Sequence, residues 1–424
     1  MAAEMPKSQD KYLIFLLFLL LYLPVSKIHS QTDSPSPLPT KTDPKKTIVA
    51  KEEKLNSEKP AKVRMAFGKG LDFESPDEDA SLNLRLRFQG RYTQGNSTNP
   101  DSDPTELQLR RARIALRGYV MNKDWQYYMQ LGFSDQDMEK DRPVPLRDAV
   151  LTYAKYRDFN ISGGQMKVPF NRERVISDGI QEFVDRTISN GELNLDRDVG
   201  AQVFSNNFLG LNHFGYNVGV FGGDGRNKTS GSPGVLSIAK LTYYPLGCYT
   251  DTGEPDLDYS TTPKLSFSVF GAKNVNSNRT LSTFGDTYDF ARFTYNHSGA
   301  EFVLKWQGFS LSGEYLVRDA DAPYREKEIG SQLKREYSRS ARGEMIQFGY
   351  LLTQKLGVAF RFSEYYPIAK TDPTLTYSRE RGIAFSYYIQ DHNLKIQADY
   401  SHQDGEVSQN YGSEQFRVQM QIYL

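Results

Sequence analysis

The chain has 424 residues in which 52 Lys plus Arg balance 52 Asp plus Glu, so no basic excess points to nucleic acid and any electrostatic function must come from charge placement. Tyr 27 and Phe 25 against Trp 2, with a mean hydropathy of −0.60, describe a strand-prone chain too polar for a bundle of membrane helices. The single Cys248 excludes an intramolecular disulfide.

Tyr12 to Val25 (YLIFLLFLLLYLPV) is an apolar run preceded by Lys7 and Lys11 and followed by Ser26 and Ser30. It is short for a bilayer span of about 20 residues and suits the apolar region of a signal peptide, expected to cover residues 1–30. No Cys follows the expected cleavage point, which argues against a lipoprotein. Its removal takes three lysines and two acids, so the exported chain stays nearly neutral. Residues 31–80 are rich in Pro, Ser and Lys with almost no apolar periodicity, the composition of a disordered periplasmic segment.

From residue 81 to the end, alternating segments follow one another. Leu82, Leu84, Leu86 and Phe88 alternate with Arg85, Arg87 and Gln89. In LQLRRARIALRGYVMNKDWQYYMQLGF, residues 107–133, Ile114, Leu116 and Val120 take one face and Arg111, Arg113 and Arg117 the other. After a polar break at Asn122-Lys123-Asp124, Trp125, Tyr127, Met129, Leu131 and Phe133 resume the period of two, which predicts a hairpin. Further strands are led by Leu151, Ile161, Val203, Val218, Leu236, Phe267, Phe302 and Leu311, then by Phe348, Phe360, Phe385, Ile396 and Val418. The count is sixteen if Phe290 to Tyr295 is loop and seventeen if it is a strand; bacterial single-chain barrels need an even number, so sixteen is expected.

Two architectures bury one face of such strands. In a soluble sandwich the apolar face meets a second sheet; in a membrane barrel it meets lipid, and the arginines line a watery lumen. Loop lengths favour the barrel. Short connections at Arg157-Asp158, Gln307-Gly308, Gln354-Lys355 and Asp391-His392 alternate with longer polar ones, and a sandwich has no reason to sort its loops by parity. The connection from Gly247 to Thr262 breaks this rule by being long on the short side. The last strand stays in phase to Leu424, as outer-membrane barrels commonly end, with Leu in place of the usual Phe. The expected fold is therefore all-β, a transmembrane antiparallel barrel over residues 81–424.

Taking apolar residues as lipid-facing, the inward set holds Arg85, Arg87, Arg111, Arg113, Arg117, Lys305, Arg361, Lys395 and Arg417 against Asp148, Asp198, Glu301, Glu314 and Asp399. Such a lumen is net positive, and a low-dielectric wall focuses its field on anions. The competing reading is that these charges only pair with one another and solvate a wide pore. Trp125 and Tyr127 are expected in a periplasmic aromatic girdle. GGDGRN, residues 222–227, lacks the Lys-Ser/Thr ending of a phosphate loop and reads as a loop tip. Asp319 with Asp321, and Asp196 with Asp198, read as solvated loop carboxylates more readily than as cation ligands. The histidines lack metal spacing, and Asn296-His297-Ser298 cannot form a catalytic relay because neighbours in a strand face opposite ways.

RRARIALRG with DWQYYMQLGF, LRDAVLTY, GGQMKVPFNRE, EFVDRT, DRDVGAQVF, YNVGVFGGDGRN and FSLSGEYL resemble, in this order, the phosphate-selective porin O and P family of outer-membrane proteins. The resemblance implies a homotrimer of sixteen-stranded barrels whose third extracellular loop folds inward to narrow the pore. Lys167 to Arg197 takes that loop's place. The family's pores carry arginines and lysines along the lumen; the matching luminal positions here are the RRAR run from Arg110, Asp148 and Lys167, and the loop adds Arg172, Arg174 and Arg186 among four acids that weaken any tight phosphate selectivity. The expected protein is a porin of the bacterial outer membrane. It would admit small hydrophilic solutes by passive diffusion, leaning to anions such as phosphate, with membrane lipid and small anions as partners, no nucleic acid, no cofactor, no metal and no catalytic residue. The alternative is a surface adhesin anchored by a barrel.

Overall fold

The computed structural model describes residues 60–96, 105–138, 143–228, 234–368, 371–405 and 413–424. The expected signal peptide and most of the expected disordered segment lie outside them. Two short strands come first, β1 (Lys62–Ala66) and β2 (Gly70–Glu74). They form a hairpin inside the stretch whose composition suggested no regular structure. Lys62 to Glu74 holds the apolar residues Val63, Met65, Leu71 and Phe73 at intervals of two, a signal too short to stand out against the surrounding Lys, Glu and Pro.

The barrel strands follow in order: β3 (Ser81–Gly95), β4 (Thr105–Val120), β5 (Asn122–Gly132), β6 (Leu146–Tyr153), β7 (Asn160–Lys167), β8 (Arg197–Ser205), β9 (Phe214–Phe221) and β10 (Val235–Tyr243). The second half comprises β11 (Lys264–Ser277), β12 (Phe293–Trp306), β13 (Phe309–Ala320), then a separate hairpin of β14 (Tyr324–Ile329) and β15 (Gln332–Tyr337) in the following loop, and β16 (Ala341–Leu351), β17 (Leu356–Pro367), β18 (Ser378–Gln390), β19 (Leu394–Gly405) and β20 (Glu414–Tyr423). Every barrel strand pairs antiparallel with its neighbours, and β20 closes the ring on β3, so the barrel has sixteen strands. Leu424 exchanges backbone hydrogen bonds of 3.0 and 2.9 Å with Leu86. Beyond that point β2 takes over the same edge of β3, from Leu71 against Leu84 to Glu74 against Ser81.

The alternation that predicts these strands has a plain physical source. In β16, Ile346, Phe348 and Tyr350 stand outward and exposed while Met345, Gln347 and Gly349 are buried inside. Phe293 to Tyr295 proves to be the start of β12, continuous with Phe302, which explains why sixteen rather than seventeen is right. The first hairpin turns at Met121 alone, with φ +65°, and Asn122 already pairs with Val120, so the break read at Asn122 to Asp124 belongs to β5.

Two bulges change which side chains face inward. Between Gln89/Arg111 and Gly90/Leu109, β4 carries Arg110 as an extra residue; between Gln130/Asp148 and Leu131/Leu146, β6 carries Arg147 likewise. Before its bulge β4 turns Leu107 and Leu109 outward, and after it the outward residues are Ala112, Ile114 and Leu116. The phase flip lets Arg110 and Arg111 both reach the interior.

The interior is partly filled. The loop from β7 to β8, third in order among the long loops, runs inside the barrel and carries two short helices, α1 (Arg172–Val175) and α2 (Ile188–Leu193). Its Val168, Phe170, Leu193 and Leu195 are buried against the inward-facing Phe221, Leu236, Ile238, Phe270 and Leu316. Burying a side chain of this size contributes about 2 kcal/mol, so the β9–β13 wall holds the loop by apolar contact. Alternation alone assigned every inward position to water, and along this wall that expectation does not hold.

Candidate functional site: an arginine-lined passage

With the loop packed on the β9–β13 wall and, from Gln181 to Ser189, on β16–β19 as well, open space remains beside β3, β4 and β5. On the side of the long loops a cavity of about 430 Å³ is lined by Arg110, Arg111, Arg113, Arg147, Lys167, Arg174, Arg186, Arg197, Arg226 and Arg417, against Asp178, Asp185, Asp196 and Glu380. Arg113 also lines a second cavity of about 290 Å³ with Arg85, Arg87 and Arg117. Arg117 and Asn83 continue into a third of about 810 Å³, whose rim carries Arg64 and Lys123 beside the short turns. Cations thus follow one another from the outer mouth to the periplasmic mouth.

The inward loop meets this track at two aspartates. Asp178 faces three guanidinium groups: Arg87 Nη2 at 2.7 Å, Arg111 Nε at 2.7 Å and Arg113 Nη1 at 2.9 Å. Burial works against its charge, and Arg111, Arg113 and Arg87 outweigh burial, holding the carboxyl well below the usual carboxylate range. Asp185 has one close partner, Arg91, and stands farther from the others, at 3.4 Å from Arg110, 3.6 Å from Arg111 and 3.9 Å from Arg417. Next to Asp178, Gly179 lies so close to the wall that a Cβ there would stand 2.2 Å from the Tyr423 hydroxyl and 2.7 Å from Arg87 Nη1. A side chain there would have to push aside Tyr423, Arg87 and Gln421, which pack against the loop at this point.

The other inward charges fall into two groups. Lys167 donates to the carbonyls of Val175 and Ile176 at 2.9 and 2.8 Å, and Arg186 to those of Glu173 and Ile176 at 2.7 and 2.9 Å. Neither has a carboxylate ion pair among the described residues. Burial, and next the nearby Arg174, pull the Arg186 guanidinium down to about 10. Asp148 instead neutralises Arg197 through two hydrogen bonds of 2.9 and 3.0 Å, and Arg174 pairs with Asp196. Asp198 accepts from the backbone of Val199 and Gly223, and Asp321 pairs with Arg325.

Arg172 lies away from the passage. It binds Asp251 in a fork of 2.5 and 3.0 Å and the carbonyl of Gly253 at 2.8 Å. Asp251 belongs to the connection between β10 and β11, the long connection on the short-turn side, which enters the barrel from below. Lys305 holds the same Asp251 at 2.8 Å, and Glu254 of that segment accepts from Glu182 N and Gln347 Nε2, each at 2.8 Å. Lys395 donates to Gln181 O and Arg361 to Asp185 O. Lys305, Arg361 and Lys395, read by parity as pore cations, therefore anchor the loops.

Arg147 and Arg226 line the passage unforeseen. Arg147 faces inward because of its bulge, and Arg226, in the loop tip GGDGRN, reaches the Asp137 carbonyl at 2.8 Å. Arg110 and Arg147 each keep a buried Nε–H without a protein acceptor among the described residues. Trp125 packs at a tilt against Tyr153 at the end of the short turns, with ring centroids 4.7 Å apart.

The family described as phosphate-selective porin O and P matches residues 82–423. No curated protein matches the sequence. Among solved structures, the fold is similar to OmpF of Salmonella typhi in complex with daunomycin (13% identity, TM-score 0.51, covering 82% of this chain and 99% of that one). An anion-selective porin from Comamonas acidovorans (11%, 0.50, 81% and 99%) and a loop L8 deletion mutant of OmpT from Vibrio cholerae (12%, 0.50, 82% and 100%) are similar too. At these identities the structures speak for the barrel fold.

Proposed function

The chain belongs to the phosphate-selective porin O and P family and is a porin of the bacterial outer membrane, and from that premise we propose that its passage favours small anions, phosphate among them, moving passively down their gradients. The observation that carries this is the outer cavity, where ten cationic side chains face four acidic ones. A low-dielectric wall focuses that excess on a permeating ion. Arg85, Arg87, Arg110, Arg111, Arg113, Arg117, Lys167, Arg174 and Arg186 line the route in this reading. Arg172 acts on it by holding a loop, and Asp148 by neutralising Arg197. The protein acts as a channel rather than an enzyme, and we take it to assemble as a homotrimer, as the family resemblance implies. A reversal potential measured in a planar bilayer under a KCl gradient tests the anion preference. The expected sign is that of chloride, and a potassium-selective channel removes the proposal.

A further inference from the structure

The outer cavity alone places ten cations along a passage a few side chains wide. A multivalent oxyanion seated among Arg87, Arg111 and Arg113 with nothing to oppose it would be held, and conduction requires that an ion leave as well as enter. The inward loop supplies the opposition. Asp178 occupies the convergence of those three guanidinium groups, with its two oxygens 2.7 to 3.0 Å from their nitrogens. Seven residues on, Asp185 lies among Arg91, Arg110, Arg111 and Arg417, and Arg111 faces both carboxylates.

We propose that Asp178 and Asp185 are tethered competitors, carboxylates of the chain itself that sit where a permeating anion would bind and displace it onward from one arginine group to the next. The proposal rests on the anion-conducting reading above and assigns a specificity-determining role to two acids of the loop. A guanidinium fork binds a carboxylate and a phosphate oxygen pair alike, so an arriving anion and Asp178 exchange one charged hydrogen bond for another with little net cost. The exchange needs Asp178 to stay within reach after it yields. Its tether provides that, because Ser177 Oγ bonds Arg87 at 3.1 Å and Gly179 O accepts from Gln421 at 2.9 Å. Three close guanidinium groups around a nearly fully buried Asp178 make it the tighter competitor, and Asp185, with Arg91 as its one close partner and its side chain 22% exposed, is the easier site to enter.

The test is block of single-channel chloride current by inorganic phosphate in a planar bilayer, comparing the wild-type protein with Asp178→Asn and Asp185→Asn. The amide keeps the size and removes the charge. The half-blocking phosphate concentration is expected to fall at least about tenfold in Asp178→Asn and about threefold in Asp185→Asn, with chloride preference rising in both. A half-blocking concentration unchanged or raised in Asp178→Asn overturns the proposal, as does absence of block in wild type and variants alike. Should Asp178→Asn fail to form a heat-modifiable barrel, Asp185→Asn decides alone, and no change there overturns it. A wild-type channel selective for potassium refutes the anion reading itself, whereas an anion-selective wild type with unaltered variants refutes only the role given to the aspartates.

Discussion

Reversing the charge of Arg111 probes the passage at its centre, because this side chain faces both loop aspartates and the outer cavity. In Arg111→Glu the local charge changes by two units. A unit charge at about 4 Å contributes about 1 kcal/mol to the energy of a passing ion in bulk water and about 4 kcal/mol at an effective dielectric of about 20. Taking the watery limit, the barrier for chloride rises by about 2 kcal/mol and that for potassium falls by as much. The permeability ratio then moves by about 4 kcal/mol, where about 1.4 kcal/mol is a factor of ten. Salt at about 0.1 M screens over about 10 Å and does not erase an interaction at contact. The remaining cations dilute the effect, so a fall of at least about tenfold in the chloride to potassium permeability ratio is expected from reversal potentials. Asp178 keeps Arg87 and Arg113 as partners, so the loop should stay in place. An unchanged or more chloride-selective ratio in a folded barrel would show that ions do not pass Arg111.

Asp251→Ala removes the shared partner of Arg172 and Lys305; leaving two buried cations unpaired costs about 3 kcal/mol, and the entering segment should loosen, seen as larger and noisier single-channel conductance. Gly349→Ala places a Cβ 2.0 Å from Glu182 Oε1 and 2.4 Å from Ser310 Oγ; the Glu182 carboxyl must swing away and give up its bonds from Ser310 and Gln347, which should lower the unfolding temperature in a thermal melt. Burial, and next the Glu254 carboxylate, push the Glu182 carboxyl up to about 7 from its ordinary value near 4.5. A carboxyl raised in this way stabilises the folded state fully below about pH 4.5 and loses that contribution as pH rises towards 7. Glu182→Gln should therefore flatten the fall in thermal stability over that range, and an unaltered slope would refute the assignment.

What the sequence made legible was the alternation, and it reads well wherever one face meets lipid and the other a polar interior. In β16 to β20 the outward rows of Phe, Tyr and Ile and the inward rows of Gln, Ser and Arg follow the period of two closely enough to give both the strands and their sidedness. It fails for specific reasons. Arg110 and Arg147 sit on bulges, which break phase by one residue and leave no mark in composition. Phe221, Leu236, Ile238 and Phe270 are inward and apolar because a loop covers them, so β10 shows two apolar faces and hides its parity, while the inward rows of β9 and β11 turn apolar only at Phe221, Phe270 and Ala272. Lys305 and Lys395 were legible as inward but not as anchors, since their partners lie in loops far along the chain. The unusual length of the connection from Gly247 to Thr262 was visible, and its inward course was not.

These departures act together on the pore. A sixteen-stranded ring is wide enough for an aqueous channel, and a wide channel lets water and salt screen its wall charges. Filling the β9 to β13 and β16 to β19 sides with the inward loop, braced by the segment around Asp251, moves the open path against β3 and β4, where the arginines are. The same apolar residues that spoil the alternation therefore bring a permeating ion within contact distance of Arg111 and Arg113, the range over which their field is least screened. It follows that loosening the apolar packing should weaken selectivity without touching a single charge. Phe170→Ala, which opens the contact with Phe270 at a ring-centroid distance of 4.6 Å, costs about 3 kcal/mol of packing. It should raise conductance while bringing the chloride to potassium ratio closer to one. A variant with higher conductance and undiminished selectivity would mean that the arginines govern the ion from afar, and that the loop's place against the opposite wall has no part in it.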